Sequence, residues 1–150
     1  MRIVLPRIVK DFSKPFSENG FQCFLVGGAV RNLVSGSEPK DFDFATDALP
    51  EQVVRLFRKV IPTGIKHGTV TVLYKNYKFE VTTFRVDGKY SNTRHPDNVL
   101  YTPSILEDLE RRDFTINAIA CNIVTGEVLD PQMGISDLNE IGRASCRERV

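Results

Sequence analysis

Hydrophobic positions along this chain switch repeatedly between a helical and a strand-like period. Residues 6–18 place Ile8, Val9, Phe12 and Phe16 at helical spacing, which predicts a helix with one apolar face. Asn19-Gly20 is a stop signal for that helix, and Pro15 predicts a kink inside it. Residues 21–26 (FQCFLV) form a short apolar run suited to a buried strand; Gly27-Gly28 ends it, and 29–34 begin a helix. Residues 42–45 (FDFA) alternate as a strand with two unlike faces should. Residues 50–60 predict another helix, with Pro50 in its first turn and Val53, Val54, Phe57 and Val60 on one face. Runs 69–74 and 77–84 are rich in β-branched and aromatic residues and flank Lys75-Asn76, which is a hairpin pattern. Residues 86–103 gather Gly, Pro, Asn, Asp and Ser and predict a long loop, a feature that is uncommon in compact domains and often functional. Residues 105–120 predict a helix, or a turn and then a helix. Short strands follow at 121–124 and 127–129, on either side of Thr125-Gly126. Intermixed helices and strands with one hairpin give an α/β fold class with a mixed β-sheet.

Composition narrows the class. A chain of 150 residues suits one domain, and 41% hydrophobic with 26% charged residues is ordinary for a globular protein. No apolar run approaches the ~20 residues that span a bilayer, and residues 1–10 lack the apolar stretch and cleavage site of a signal peptide. No membrane partner is therefore expected. Cys23, Cys121 and Cys146 show no paired spacing, which reads as reduced thiols in a cytoplasmic protein. With two histidines in the chain, the same cysteines argue against structural zinc. The net charge is +1, but the last eight residues hold three Arg and one Glu; the rest has 17 basic and 18 acidic residues, or −1. Net charge thus gives no argument for nucleic-acid binding. An RNA partner would need a local patch or parts of the protein outside this chain.

Three patterns carry chemistry. In Asp41-Phe42-Asp43, a strand would aim both carboxylates to one side and Phe42 into the core. Paired carboxylates suit Mg²⁺, which takes oxygen ligands and bridges to substrate phosphates, or two such ions about 3.5–4 Å apart. Gly27-Gly28 lies between a strand and a helix, where bare backbone N–H groups approach a phosphate closely, and Arg31 follows one turn later to add a guanidinium fork. Arg111-Arg112-Asp113, followed by Thr115 and Asn117, offers adjacent arginines about 100° apart on a helix, so that one can face a nucleotide and the other a structural acid. Each pattern has a plain alternative: solvated strand-end acids, a tight turn with a surface Arg, and a charged cap on a helix at 114–119. Glu80, on the strand 77–84, is either a third carboxylate opposite Asp41 and Asp43 or an exposed strand Glu. His67, beside Gly68 in a turn, reads as structural. No nucleophile elbow, P-loop or dinucleotide fingerprint is present.

In order, LVGGAVRN (25–32), KDFDFAT (40–46), KHGTVTV (66–72), EVTTFR (80–85) and RRDFTINAIA (111–120) resemble the class II tRNA nucleotidyltransferase and bacterial poly(A) polymerase family over about Phe21 to Glu140. The resemblance implies a polymerase beta-like nucleotidyltransferase head, with the mixed sheet flanked by helices. It assigns metal-binding catalytic carboxylates to Asp41 and Asp43. Nucleotide contacts fall to Gly27, Gly28, Arg31, Arg111 and Arg112, and a mobile loop to 87–99. The implied reaction is attack of a tRNA 3′ end on the α-phosphate of CTP or ATP with Mg²⁺ as cofactor. The alternatives are a poly(A) polymerase head, a CC-adding or A-adding enzyme, and a non-catalytic nucleotide- or RNA-binding module. The Lys66-His67-Gly68-Thr69 block looks more like the CCA-adding branch. Residues 1–140 are expected to form the head, as the N-terminal part of a longer enzyme. Residues 141–150 (IGRASCRERV) depart from the family pattern and read as a non-native or divergent tail. The oligomeric state is left open.

Overall fold

A computed structural model describes residues 1–86, 100–112 and 117–139, without the side chains of 137–139. Helix α1 spans Arg7–Glu18, α2 Gly28–Val34, α3 Pro50–Leu56, α4 Ile105–Glu110 and α5 Gly134–Asn139. The strands are β1 Cys23–Val26, β2 Phe42–Thr46, β3 Val60–Gly64, β4 Thr69–Tyr74, β5 Tyr77–Thr83, β6 Arg85–Val86, β7 Leu100–Tyr101, β8 Ala120–Asn122 and β9 Val128–Leu129. Seven of them form one sheet in the order β3-β4-β5-β2-β1-β8-β9. β2 and β5 run parallel and the other neighbours antiparallel, so the sheet is mixed, as expected. β6 and β7 pair as a separate ribbon.

Each face of the sheet carries its own core. On one face Phe42, Phe44, Phe79, Val70, Val72 and Val81 pack with residues of α1, α2 and α3. Phe12 is the hub of that cluster. Its ring centroid lies 4.7 Å from those of Phe57 and Phe79 and 4.8 Å from that of Phe44. On the other face Phe24, Val26, Ala45 and Ala120 meet Phe84, Ile105, Leu109 and Ala118. Two buried layers leave β2 and its neighbours little freedom, which suits a sheet that must hold side chains at fixed spacing.

Helix α1 passes through Pro15 and ends at Asn19-Gly20, where Gly20 has φ 78°. The β4–β5 hairpin turns at Lys75 and Asn76, both at positive φ (44° and 70°), the type I′ geometry whose twist matches its strands.

Three expectations are corrected. Helix α3 stops at Leu56, the backbone is extended at Phe57, and 60–64 form edge strand β3. Pro62 cannot continue a helix but is tolerated on a sheet edge, and Val54 is exposed. The long segment 86–103 is shortened by a stem, since Arg85 pairs with Tyr101 and Val86 with Leu100; its remainder, 87–99, lies outside the described residues. The predicted helix 105–120 ends at Glu110, and β8 has begun by Ala120. Ser104 caps that short helix by accepting from the Glu107 amide.

Candidate functional site

Strand alternation builds the acidic part of the site. In β2, Phe42 and Phe44 are buried while Asp43 is exposed, as is Asp41 just before the strand. The parallel pairing of β2 with β5 sets Glu80 in register with Asp43. Paired residues share a face, so Glu80 stands beside Asp43 and not across a cleft from it. Its carboxylate accepts a hydrogen bond from the Thr71 hydroxyl at 2.8 Å, and Thr71 is itself buried. Desolvation raises the Asp43 carboxyl above its ordinary value of 3.8; Glu80 and then Asp41 add to the shift, and Arg112 opposes it. Glu80, Asp41 and Arg112 are thus all close enough to act on Asp43 electrostatically.

The glycine turn borders these acids. Val26 pairs with Asp43 across β1 and β2, which places Gly27 next to the carboxylates. A Cβ added to Gly27 would sit 3.9 Å from Asp43 Oδ2, and its φ of 69° with ψ −139° is open to glycine but strained for other residues. Arg31 folds back over the start of α2, with one guanidinium nitrogen 3.3 Å from where a Gly28 Cβ would lie. Helix α2 has seven residues, so any anion held here depends on backbone N–H groups and Arg31 more than on a helix field.

The arginine pair is arranged differently from the sequence expectation. Arg111 and Arg112 follow the end of α4, and both engage Asp108: Arg112 Nη2 lies 3.0 Å from Oδ1 and Arg111 Nε 3.7 Å from Oδ2. One structural acid takes both cations because i+3 and i+4 lie on the same side of a helical turn. Asp108 was missed in the sequence, although that spacing could have found it. Asp113 and Thr115 lie outside the described residues. His67 is exposed, and its backbone carbonyl accepts from Arg85 Nη1 at 2.9 Å.

Two exposed carboxylates with a third alongside, the Asp43 carboxyl raised by desolvation and then by its acidic neighbours, are a donor set that fits a hard divalent cation. Among the described residues no three His, Cys, Asp or Glu side chains form a closed metal cluster.

The sequence pattern of the poly A polymerase head domain matches residues 23–141. The chain belongs to this family. The CCA-adding enzyme of Lactobacillus gasseri is 45% identical over 139 residues, which cover 89% of this chain and 35% of that protein. In fold, the chain resembles the Bacillus stearothermophilus CCA-adding enzyme crystallised in complex with CTP, with TM-score 0.82 and 38% identity over 97% of this chain and 34% of that one. A tRNA nucleotidyltransferase complexed with a primer tRNA and an incoming ATP analog gives TM-score 0.64 and 32% identity over 87% of this chain and 36% of that one. This poly A polymerase head domain therefore spans about a third of the length of the relatives it matches.

Proposed function

We propose that this chain is the catalytic head of a CCA-adding nucleotidyltransferase that transfers CMP and AMP from CTP and ATP to the tRNA 3′ end. The observation that carries the proposal is the placement of the glycine turn against Asp43, with Asp41 and Glu80 on the same side and Arg112 within electrostatic reach. Phosphates of either nucleotide would meet the backbone of Gly27 and Gly28, the Arg31 guanidinium, and the Arg111–Arg112 pair. Asp41 and Asp43 would hold Mg²⁺, with Glu80 as a neighbouring carboxylate. When bound, the metal lowers the pKa of the attacking hydroxyl and stabilises the leaving pyrophosphate. The terminal ribose oxygen forms a bond to the α-phosphorus, the bond from that phosphorus to the bridging oxygen of pyrophosphate breaks, and the hydroxyl proton leaves to solvent. We infer that residues 1–140 make up the head. A cytoplasmic setting is supported by the buried free thiols Cys23 and Cys121, and no helix among the described residues is long and apolar enough to cross a membrane.

The test is transfer of labelled CMP to tRNA lacking its CCA end. In the full-length protein, Asp41→Ala and Asp43→Ala are expected to abolish transfer while circular dichroism and melting show an intact fold, since each loses transition-state stabilisation worth several kcal/mol. Activity near that of the parent in either variant would overturn the metal assignment. Use of ATP with no use of CTP by the parent protein would turn the reading to a poly(A) polymerase head.

A further inference from the structure

Edge strand β3 carries none of the site residues, yet a line of hydroxyl groups joins it to the acids. The Thr63 and Thr71 hydroxyl oxygens lie 2.9 Å apart, and the Thr71 hydroxyl donates to Glu80 Oε1 at 2.8 Å. A hydroxyl has one proton to give. That of Thr71 is committed to Glu80, so Thr63 is the donor in the first bond and both dipoles point at the carboxylate. Thr71 stands opposite Glu80 across β4 and β5, and Glu80 stands beside Asp43 across β5 and β2. Between the pairs Ile61–Thr71 and Gly64–Thr69, β3 advances three residues while β4 advances two. The extra residue makes a bulge, the device by which a strand re-aims a side chain, and Pro62 and Thr63 lie in it. The same sheet holds a second threonine pair for comparison, with the Thr69 and Thr82 hydroxyl oxygens 2.8 Å apart. Cross-strand threonine pairs support a sheet, which accounts for Thr69 and Thr82. It does not account for a line that starts in an edge bulge, passes through a buried hydroxyl and ends on the acid in register with Asp43.

We propose that Thr63 and Thr71 are positioning residues for Glu80: they hold its carboxylate beside Asp43 and thereby set how tightly the acids take a divalent cation. The inference rests on the reading above that Asp41 and Asp43 hold Mg²⁺. A glutamate next to another carboxylate tends to turn away from it, because like charges repel and its side chain has several rotamers to choose from. The Thr71 donor opposes that tendency by fixing Oε1, and Thr63 fixes the Thr71 hydroxyl in turn. Negative charge then stands ready where a cation enters, and no side chain has to be ordered when it arrives. With the line cut, Glu80 turns toward solvent and the cation meets two placed carboxylates instead of three. The line ends on a carboxylate and not on a phosphate-binding group, so its loss acts through cation affinity and not through hold on the nucleotide.

The experiment uses the full-length protein and Mn²⁺ alone, whose binding is read by electron paramagnetic resonance. Mn²⁺ prefers the same oxygen ligands as Mg²⁺. Thr71→Val keeps the shape and removes the hydroxyl, and it is expected to weaken Mn²⁺ binding roughly tenfold, the usual scale for loss of a hydrogen bond behind a metal-binding carboxylate. Thr71→Ser restores the hydroxyl and should restore the affinity. Thr63→Val, at an exposed position, should weaken binding in the same direction by less. In transfer assays Thr71→Val should lower kcat at limiting Mg²⁺, recover at high Mg²⁺, and leave the KM for CTP within about twofold. Thr69→Val, in the comparison pair, should leave Mn²⁺ affinity unchanged whatever it does to the melting temperature. Parent-like Mn²⁺ affinity in folded Thr71→Val, or an equal weakening in Thr69→Val, overturns the inference while metal binding and transfer by the parent stand. If Thr71→Val does not fold, Thr63→Val decides by the same measure. A parent that binds no Mn²⁺ overturns both readings.

Discussion

Asp43 stands in register with Glu80, two residues from Asp41, and beside the glycine turn, so like charges gather where the fold gives them limited solvation. Its carboxyl is raised above 3.8 by desolvation, then by Glu80 and Asp41. A raised native value means that ionisation is harder in the folded state. The stabilising contribution is therefore present below the unfolded value and is lost as pH rises through the folded value. At neutral pH the ionised Asp43 works against folding. Asp43→Asn should accordingly melt at a higher temperature than the parent at pH 7 in chelator, and the gain should vanish near pH 3.5. The variant should also lose the stabilisation that Mg²⁺ and CTP give the parent. Melting curves at both pH values decide this; an equal gain at each, or none at pH 7, would show that the cost of ionising Asp43 in the folded state is not the cause. On the function proposed above the trade is reasonable, since a charge cluster that costs stability alone would be what attracts a cation.

Among the elements, β2 is where folding and chemistry are most tightly joined. Phe42 and Phe44 enter the Phe12 cluster, and the pleat then directs Asp43 to the opposite face. Phe12→Ala should cost about 3–5 kcal/mol by transfer and cavity terms, read as a fall in denaturant midpoint. Transfer measured well below the new melting point should persist, because no ring of that cluster touches the acids' face. The parts legible in the sequence were those written in local period. They include α1, the Gly27-Gly28 turn, β2 with its alternating faces, and the β4–β5 hairpin. The acids and glycines came from the same local patterns, and the structure brings Asp41, Asp43, Glu80 and Gly27 together. What escaped depends on pairing at a distance. β3 resembles the tail of a helix until β4 supplies its partner, and the β6–β7 stem has two residues on each side, too few to show a period. Asp108 escaped in part for the same reason: its burial, and its engagement by two donors and a third cation at once, are properties of the assembled fold.

For the molecule as a whole, the question is whether a head with so little net positive charge could hold RNA by itself. Residues 1–142 carry 17 basic and 18 acidic side chains, and three acids cluster at the site itself. Phosphate contacts dominate affinity for nucleic acid and require several cations along the path of the backbone. The basic residues do not spread evenly. Between Glu51 and Glu80 there is no acid, while Arg55, Arg58, Lys59, Lys66, Lys75 and Lys78 fall in that span. Lys75 is partly committed to Asp11, at 3.4 Å. Such a stretch supports weak, salt-sensitive contact with any polyanion, not selection of a tRNA. On the function proposed above, the arginines near the acids would meet a triphosphate, which is common to every nucleotide. The 150-residue chain alone is thus expected to bind tRNA weakly, with no preference over an unrelated RNA of equal length, and to add little or no CMP to it. A gel-shift titration at physiological salt, with both RNAs, tests the first expectation, and labelled CMP incorporation tests the second. Tight and tRNA-selective binding would place the grip on this head, and the stretch from 52 to 79 would be the first place to look for it.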